Sequence, residues 1–227
     1  MVDLIRGLKA EDVRAALLRV RDEIDRVSSG RQVEILAAVK YVAVDELQVL
    51  ADAGVWLLGE NRAQDLVAKA NAHPGCFTWD FIGHLQSRKV RQLVPYVRYI
   101  HSVASDSALS QLARHASPKT RILIEVNVAG ERGKSGIAPG ELAAYLERSP
   151  VPVVGLMTMP PLATRPEESR PHFAALRELA ERHRLPELSM GTSQDYLVAV
   201  EEGATIVRLG TTLYGAEKAP GTGAKAA

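Results

Sequence analysis

A short apolar run followed by an amphipathic segment recurs along the chain, and that repeat limits the fold more than any other feature. The runs are "EILAAVK" (34–40), "VWLLGEN" (55–61), "WDFIGHL" (79–85), "VRYIHSV" (97–103), "RILIEVNVA" (121–129), "PVVGLMTM" (152–159), "ELSMGTS" (187–193) and "TIVRLGTT" (205–212). The first, "EILAAVK", is too brief for a typical helix and rich enough in branched residues to be a buried strand, and the same pairing of a short run with a helix-like segment recurs through the others. Helices are predicted between them at 44–53, 62–70, 86–94, 105–115, 140–148, 167–183 and 194–201. A further amphipathic helix is predicted ahead of the first strand, from residue 8 to 28, with Leu8, Val13, Leu17, Leu18, Ile24 and Val27 as its apolar positions. Parallel strands covered by helices follow from this pattern, and eight of them predict an α/β chain closed into a single (β/α)8 TIM barrel with an extra N-terminal helix. A doubly wound open sheet is the alternative, weakened because no G-x-G-x-x-G follows the first strand. The barrel is expected over 1–217, and the small polar residues 218–227 are expected to be a disordered tail.

Charge and cysteine content remove several classes of function. Lys and Arg number 28 against 27 Asp and Glu, a formal charge of +1, which leaves no electrostatic footprint for nucleic acid or an anionic membrane. The basic stretch "SRKVRQLVPYVRY" (87–99) has the spacing of a solvated helix face, so no RNA is expected. Cys76 is the single cysteine, which rules out a disulfide framework within the chain. The first residues lack the apolar core of a signal peptide, and no run approaches the roughly 20 apolar residues of a membrane span. A cytoplasmic protein is expected. The six histidines show no ligand spacing, so no metal is expected either.

In a barrel, chemistry sits where strands end, which singles out Lys40, Asn61, His84, Ser102, Asn127, Met157, Ser189, Ser193, Arg208, Gly210 and Thr211. Lys40 closes an apolar strand, and an amine partly desolvated at a barrel mouth becomes a better nucleophile toward an aldehyde. The alternative is a lysine whose stem simply carries its charge out to solvent. Arg208 interrupts the apolar "TIVRLG" with a permanent cation that needs an acceptor, either a ligand or an acid such as Glu125. "SMGTSQD" and "LGTT" are small-residue turns in the loops after strands 7 and 8, where barrels commonly bind phosphate. Thr192 or Ser193 could equally be an ordinary helix cap, with Asp195 completing a capping box. "GERGKSG" resembles a phosphate loop but is not one. Counting back from Gly133 puts Val128 where the first Walker glycine belongs, and Gly130 is too close.

The ordered set "LAAVKYV", "LLGENRAQDL", "WDFIGHLQSRKV", "KSGI", "GLMTM", "LSMGTSQDY" and "VRLGTTLYG" resembles the pyridoxal phosphate homeostasis proteins, once called proline synthetase co-transcribed proteins, from about residue 30 to 215. The resemblance implies a barrel of pyridoxal 5'-phosphate (PLP) fold type III, like the N-terminal domain of alanine racemase. It implies Lys40 as the Schiff-base lysine, Arg208 facing the pyridine nitrogen, Ser189, Ser193, Gly210 and Thr211 on the phosphate, and Asn61 lining the pocket. Thr192 and Tyr41 depart from the family pattern, which has methionine before the serine and often threonine after the lysine. Lys134, in the loop after strand 5, is a rim residue open to ligand or partner.

An arginine at the ring nitrogen cannot protonate it, so the cofactor is expected to be a weak electron sink. With no second domain expected after the barrel, the chain is predicted to be a monomeric PLP carrier that serves PLP-requiring apoenzymes without turning over a substrate. The alternatives are a small amino-acid racemase, with His84 or Tyr214 as second acid/base, and a barrel enzyme acting on a phosphorylated metabolite without PLP.

Overall fold

The computed structural model describes residues 4–215, so the expected tail at 218–227 lies outside the described residues. Eight parallel strands close into one barrel in sequence order: β1 (Glu34–Ala38), β2 (Leu57–Glu60), β3 (Thr78–Phe81), β4 (Val97–Val103), β5 (Arg121–Glu125), β6 (Val153–Met157), β7 (Glu187–Thr192) and β8 (Ile206–Leu209). The (β/α)8 expectation holds, and the pairing of β1 with β8 as well as β2 excludes the open sheet. Strands stop earlier than the apolar runs do. Lys40 and Asn61 therefore fall in the loops that follow β1 and β2, where strand hydrogen bonding has ended.

The helices are α1 (Ala10–Val27), α2 (Leu47–Asp52), α3 (Ala63–Ala72), α4 (Val90–Leu93), α5 (Asp106–His115), α6 (Leu142–Arg148), α7 (Arg170–His183), α8 (Tyr196–Glu201) and α9 (Thr211–Tyr214). Short 3-10 turns open the segments that lead into α2, α4, α6 and α7, tightening the entry to each. On α1 the buried stripe is Val13, Ala16, Val20 and Ile24, while Leu18 is 60% exposed. Of the apolar positions that predict the stripe, Leu17 is half-buried against the core and only Leu18 turns outward, while Ala16 and Val20 join the face of α1 toward α8 and α9. Tyr196 ties α8 to it by donating its hydroxyl to Glu23.

Three of the sheet's register shifts fall at or beside Asp80, at the Ile100 to Val103 stretch that holds His101, and at the Ser189 to Thr192 stretch. A bulge re-aims a side chain, and here each one accompanies a polar residue buried among apolar neighbours. Among the described residues no helix is long and apolar enough to cross a membrane.

Candidate functional site at the barrel mouth

Arg208, on β8, is 5% exposed. Its Nη1 donates to the carbonyl oxygen of Ser189 at 2.8 Å and to the Ser189 hydroxyl at 2.7 Å. Its Nη2 donates to the Thr158 carbonyl at 2.9 Å and rests 2.9 Å from the Met159 sulfur. Among the described residues no carboxylate pairs with it. Glu125 sits on β5, which is hydrogen-bonded to β4 and β6 rather than to β8, and accepts the Ser135 hydroxyl at 2.5 Å. Burial pulls the Arg208 guanidinium down to about 10, partly offset by the distant charges of Glu125 and Asp195. It remains a cation at neutral pH, solvated by carbonyls and one hydroxyl, with a thioether as its weakest acceptor.

Ser193 and the turn after β8 come together. The Ser193 hydroxyl oxygen accepts the amide of Gly210 at 3.3 Å and that of Thr212 at 3.4 Å. Thr211 is exposed at the start of α9. Neither Thr192 nor Ser193 caps α8. Asp195 instead reaches back, its Oδ1 accepting from the Thr192 amide at 2.8 Å and hydroxyl at 3.1 Å, while Ser169 donates to its Oδ2. The acid thus closes the turn on itself and leaves the Ser193 hydroxyl free to meet the next strand's loop.

Ser189 does not join that pair. It is fully buried, and its hydroxyl lies between Arg208 and Nδ1 of His101, 2.9 Å away. His101 Nε2 is 3.0 Å from Asp80 Oδ2, and both residues are fully buried. Arg98 holds Asp80 through Nη2 at 2.7 Å and Nε at 3.1 Å, the Tyr99 amide adds 3.1 Å, and Glu34 takes the other face of Arg98 at 2.7 Å. Burial pushes the Asp80 carboxyl up, but the hydrogen bonds from His101 and Arg98, with the charge of Arg98, outweigh it and hold the carboxyl below its ordinary value. The sequence carried a signal for these residues: Asp80 in "WDF" and His101 in "YIHS" interrupt apolar strands just as Arg208 does.

A second buried pair braces the lysine. Lys69, from α3, donates to Glu60 Oε2 and to the Val39 carbonyl, both at 2.6 Å. Glu60 Oε1 accepts the amides of Asn61 at 2.7 Å and Arg62 at 3.3 Å. One ion pair thus fixes the peptide before Lys40 and the one bearing Asn61. The Asn61 Oδ1 and the Tyr214 hydroxyl are buried with no hydrogen-bond partner among the described residues. Gly83 lets the next loop lie against Asn61, since a Cβ there would come 1.9 Å from the Asn61 carbonyl oxygen.

Lys40 itself is exposed, its Nζ 4.7 Å from the centre of the Tyr41 ring. The partial desolvation expected from its sequence neighbours is absent, because it lies past the end of β1 in a turn. His84 is exposed too. Tyr214 is buried, and burial, with Glu60 adding, pushes its hydroxyl well above the ordinary tyrosine range. Lys134 pairs with Glu131 at 2.5 Å, in a loop where Gly136 has φ +104° and where a Cβ would come 2.6 Å from the Asn127 amide nitrogen. Among the described residues no group of three or more His, Cys, Asp or Glu is placed to hold a metal ion.

Residues 14–218 match the family described as alanine racemase, N-terminal domain. The pyridoxal phosphate homeostasis protein of Aquifex aeolicus is 39% identical over 223 residues, covering 92% of this chain and 98% of its own. The protein of that name from Homo sapiens is 32% identical, covering 89% and 86%. The structure of PipY from Synechococcus elongatus with PLP bound superposes with a TM-score of 0.75 at 30% identity, covering 89% of this chain and 100% of that one. Alanine racemase from Corynebacterium glutamicum shares the fold at a TM-score of 0.68 and 14% identity, with 62% of its own chain covered.

Proposed function

The chain belongs to the alanine racemase N-terminal domain family, among the pyridoxal phosphate homeostasis proteins, and from that premise we propose that it binds PLP reversibly at the barrel mouth and serves PLP homeostasis in the cytoplasm. The observation that carries this is the meeting of two loops at one oxygen, the Ser193 hydroxyl against the Gly210 and Thr212 amides. Backbone amides converging on an oxygen acceptor are a phosphate site in kind. The unpartnered Asn61 Oδ1, in the loop after β2, is a second group that a polar ligand satisfies.

When bound, PLP supplies an aldehyde that a primary amine can condense with reversibly. Lys40 is that amine, and its exposure suits loading and release at the surface better than a sealed reaction chamber. Ser193, Gly210 and Thr211 take the phosphate, and Asn61 lines the pocket. Arg208 faces the ring nitrogen and donates to it without giving up its proton, so the ring gains little electron-withdrawing power. Ser189, consumed by Arg208 and His101, supports that arginine and is reassigned from the phosphate. A monomer handing PLP to PLP-requiring apoenzymes follows as the working picture.

The racemase alternative needs a second acid/base. Tyr214 is pushed away from deprotonation and has no partner among the described residues to receive its proton, and His84 stands out in solvent. The test is an absorption spectrum of the chain with PLP, before and after borohydride, beside Lys40→Ala. A bleached band with the label on Lys40 is expected; no band after adding PLP sinks both PLP readings. Sustained turnover of a single amino-acid enantiomer, lost in Lys40→Ala, would overturn the carrier assignment.

A further inference from the structure

We propose that His101 is a positioning residue for the cofactor site, fixing through one proton arrangement the direction in which Arg208 is held. This rests on the assignment of Arg208 to the cofactor ring. The four links Arg208, Ser189, His101 and Asp80 leave little freedom. An arginine can only donate, so the Ser189 hydroxyl must turn a lone pair toward Nη1 at 2.7 Å and send its own proton elsewhere. The acceptor available to that proton is Nδ1 of His101 at 2.9 Å, which must therefore be bare. The ring's proton then sits on Nε2 and goes to Asp80 Oδ2 at 3.0 Å. Asp80 can only accept while ionised, and Arg98 and the Tyr99 amide hold its remaining lone pairs.

Every donation thus runs the same way, from the mouth toward the floor of the barrel. Reversing one link strands the one above it. A proton on Nδ1 makes His101 a donor to Ser189, whose oxygen can accept from both His101 and Arg208, but the hydroxyl hydrogen then has no acceptor. A hydroxyl hydrogen left unpartnered at a fully buried position costs free energy, and turning the hydroxyl to relieve it takes a lone pair away from Nη1 and loosens the guanidinium's anchor. Among the described residues no carboxylate pairs with Arg208 and Ser189 is its one side-chain oxygen acceptor, so its alignment depends on the tautomer two residues away.

Nitrogen NMR of the chain before PLP is added, with labelled histidine at pH 8, reads the arrangement directly. His101 is expected neutral with its proton on Nε2; a proton on Nδ1 or on both nitrogens overturns the proposal whatever the cofactor does. PLP titration followed by absorbance then tests the link to the site. D80N keeps the shape but presents an NH2 group to Nε2, moving the proton to Nδ1, and is expected to weaken PLP binding about tenfold at a temperature where the variant is still folded. H101L is expected to do the same, and neither is expected to weaken binding further in an S189A background, because the link is already cut there. Additive losses, as from general loosening, overturn the positioning role. A parent chain that binds no PLP overturns the cofactor assignment, and with it the link to the cofactor, while the NMR result still decides the proton order.

Discussion

Removing Lys69 tests how the mouth is braced. Its Nζ lies 2.6 Å from Glu60 Oε2, with side chains 6% and 0% exposed. At that distance of 2.6 Å and an effective dielectric of about 20, the attraction is about 6 kcal/mol, and the desolvation of two ions offsets most of it. The intact pair therefore contributes little net stability, yet breaking it is costly. Lys69→Met leaves Glu60 charged and buried, with Oε1 still on two amides but Oε2 bare, and removes the donor from the Val39 carbonyl. The expected cost is about 3–5 kcal/mol. For a chain of this size that lowers Tm by about 6–20 °C. Changing both residues, K69M with E60Q, removes the stranded charge and should recover about 2 kcal/mol of the loss. Thermal and urea unfolding of parent, both single variants and the double give the full cycle. A K69M shift smaller than about 2 °C, or a double variant whose cost equals the sum of the singles, refutes the account of the pair as mutually dependent.

Ser193→Ala removes the hydroxyl that joins the two turns and is expected to weaken PLP binding about tenfold while leaving affinity for pyridoxal, which lacks the phosphate, unchanged by titration. Gly83→Ala drives a methyl group against the Asn61 carbonyl oxygen, a contact of 1.9 Å, and should cost about 1–3 kcal/mol or more in urea unfolding. Asp80 is held below its ordinary 3.8, so its contribution to stability is complete above pH 3.8 and is lost as pH falls through the lower folded-state value. The stability gap between parent and D80N should therefore narrow below pH 3.8, and a gap constant with pH in stepped unfolding experiments contradicts the pairing.

The barrel was legible because parallel strands buried on both faces must be apolar throughout, and eight such runs with no G-x-G-x-x-G after the first favour closure over a doubly wound sheet. The same rule exposed Arg208 as an intruder. Its partners were not legible, because a strand's list of residues does not say which strand lies beside it: Glu125 was a reasonable acid on composition, but β5 does not adjoin β8. Ser189 and Ser193 looked alike in "LSMGTS" and do different things, since one still lies in β7 and the other has left it. The exposure of Lys40 was hidden for a related reason. Apolar neighbours suggest burial, but the strand ends at Ala38 and the backbone turns before the lysine is reached. Lys69 gave no sign at all, standing in an amphipathic helix where a solvated lysine would look the same.

The one-way line of donors through the barrel has a consequence for how such a protein can change over generations. Each of Asp80, His101, Ser189 and Arg208 is buried, so replacing any one alone strands a neighbour at about 1–3 kcal/mol, a large fraction of the 5–15 kcal/mol that keeps a typical domain folded. Drift at these four positions is therefore coupled: a lineage that loses the histidine must alter the serine or the aspartate within few steps. Across relatives the four should be exchanged as a set, and the barrel's outer helices should diverge without regard to them.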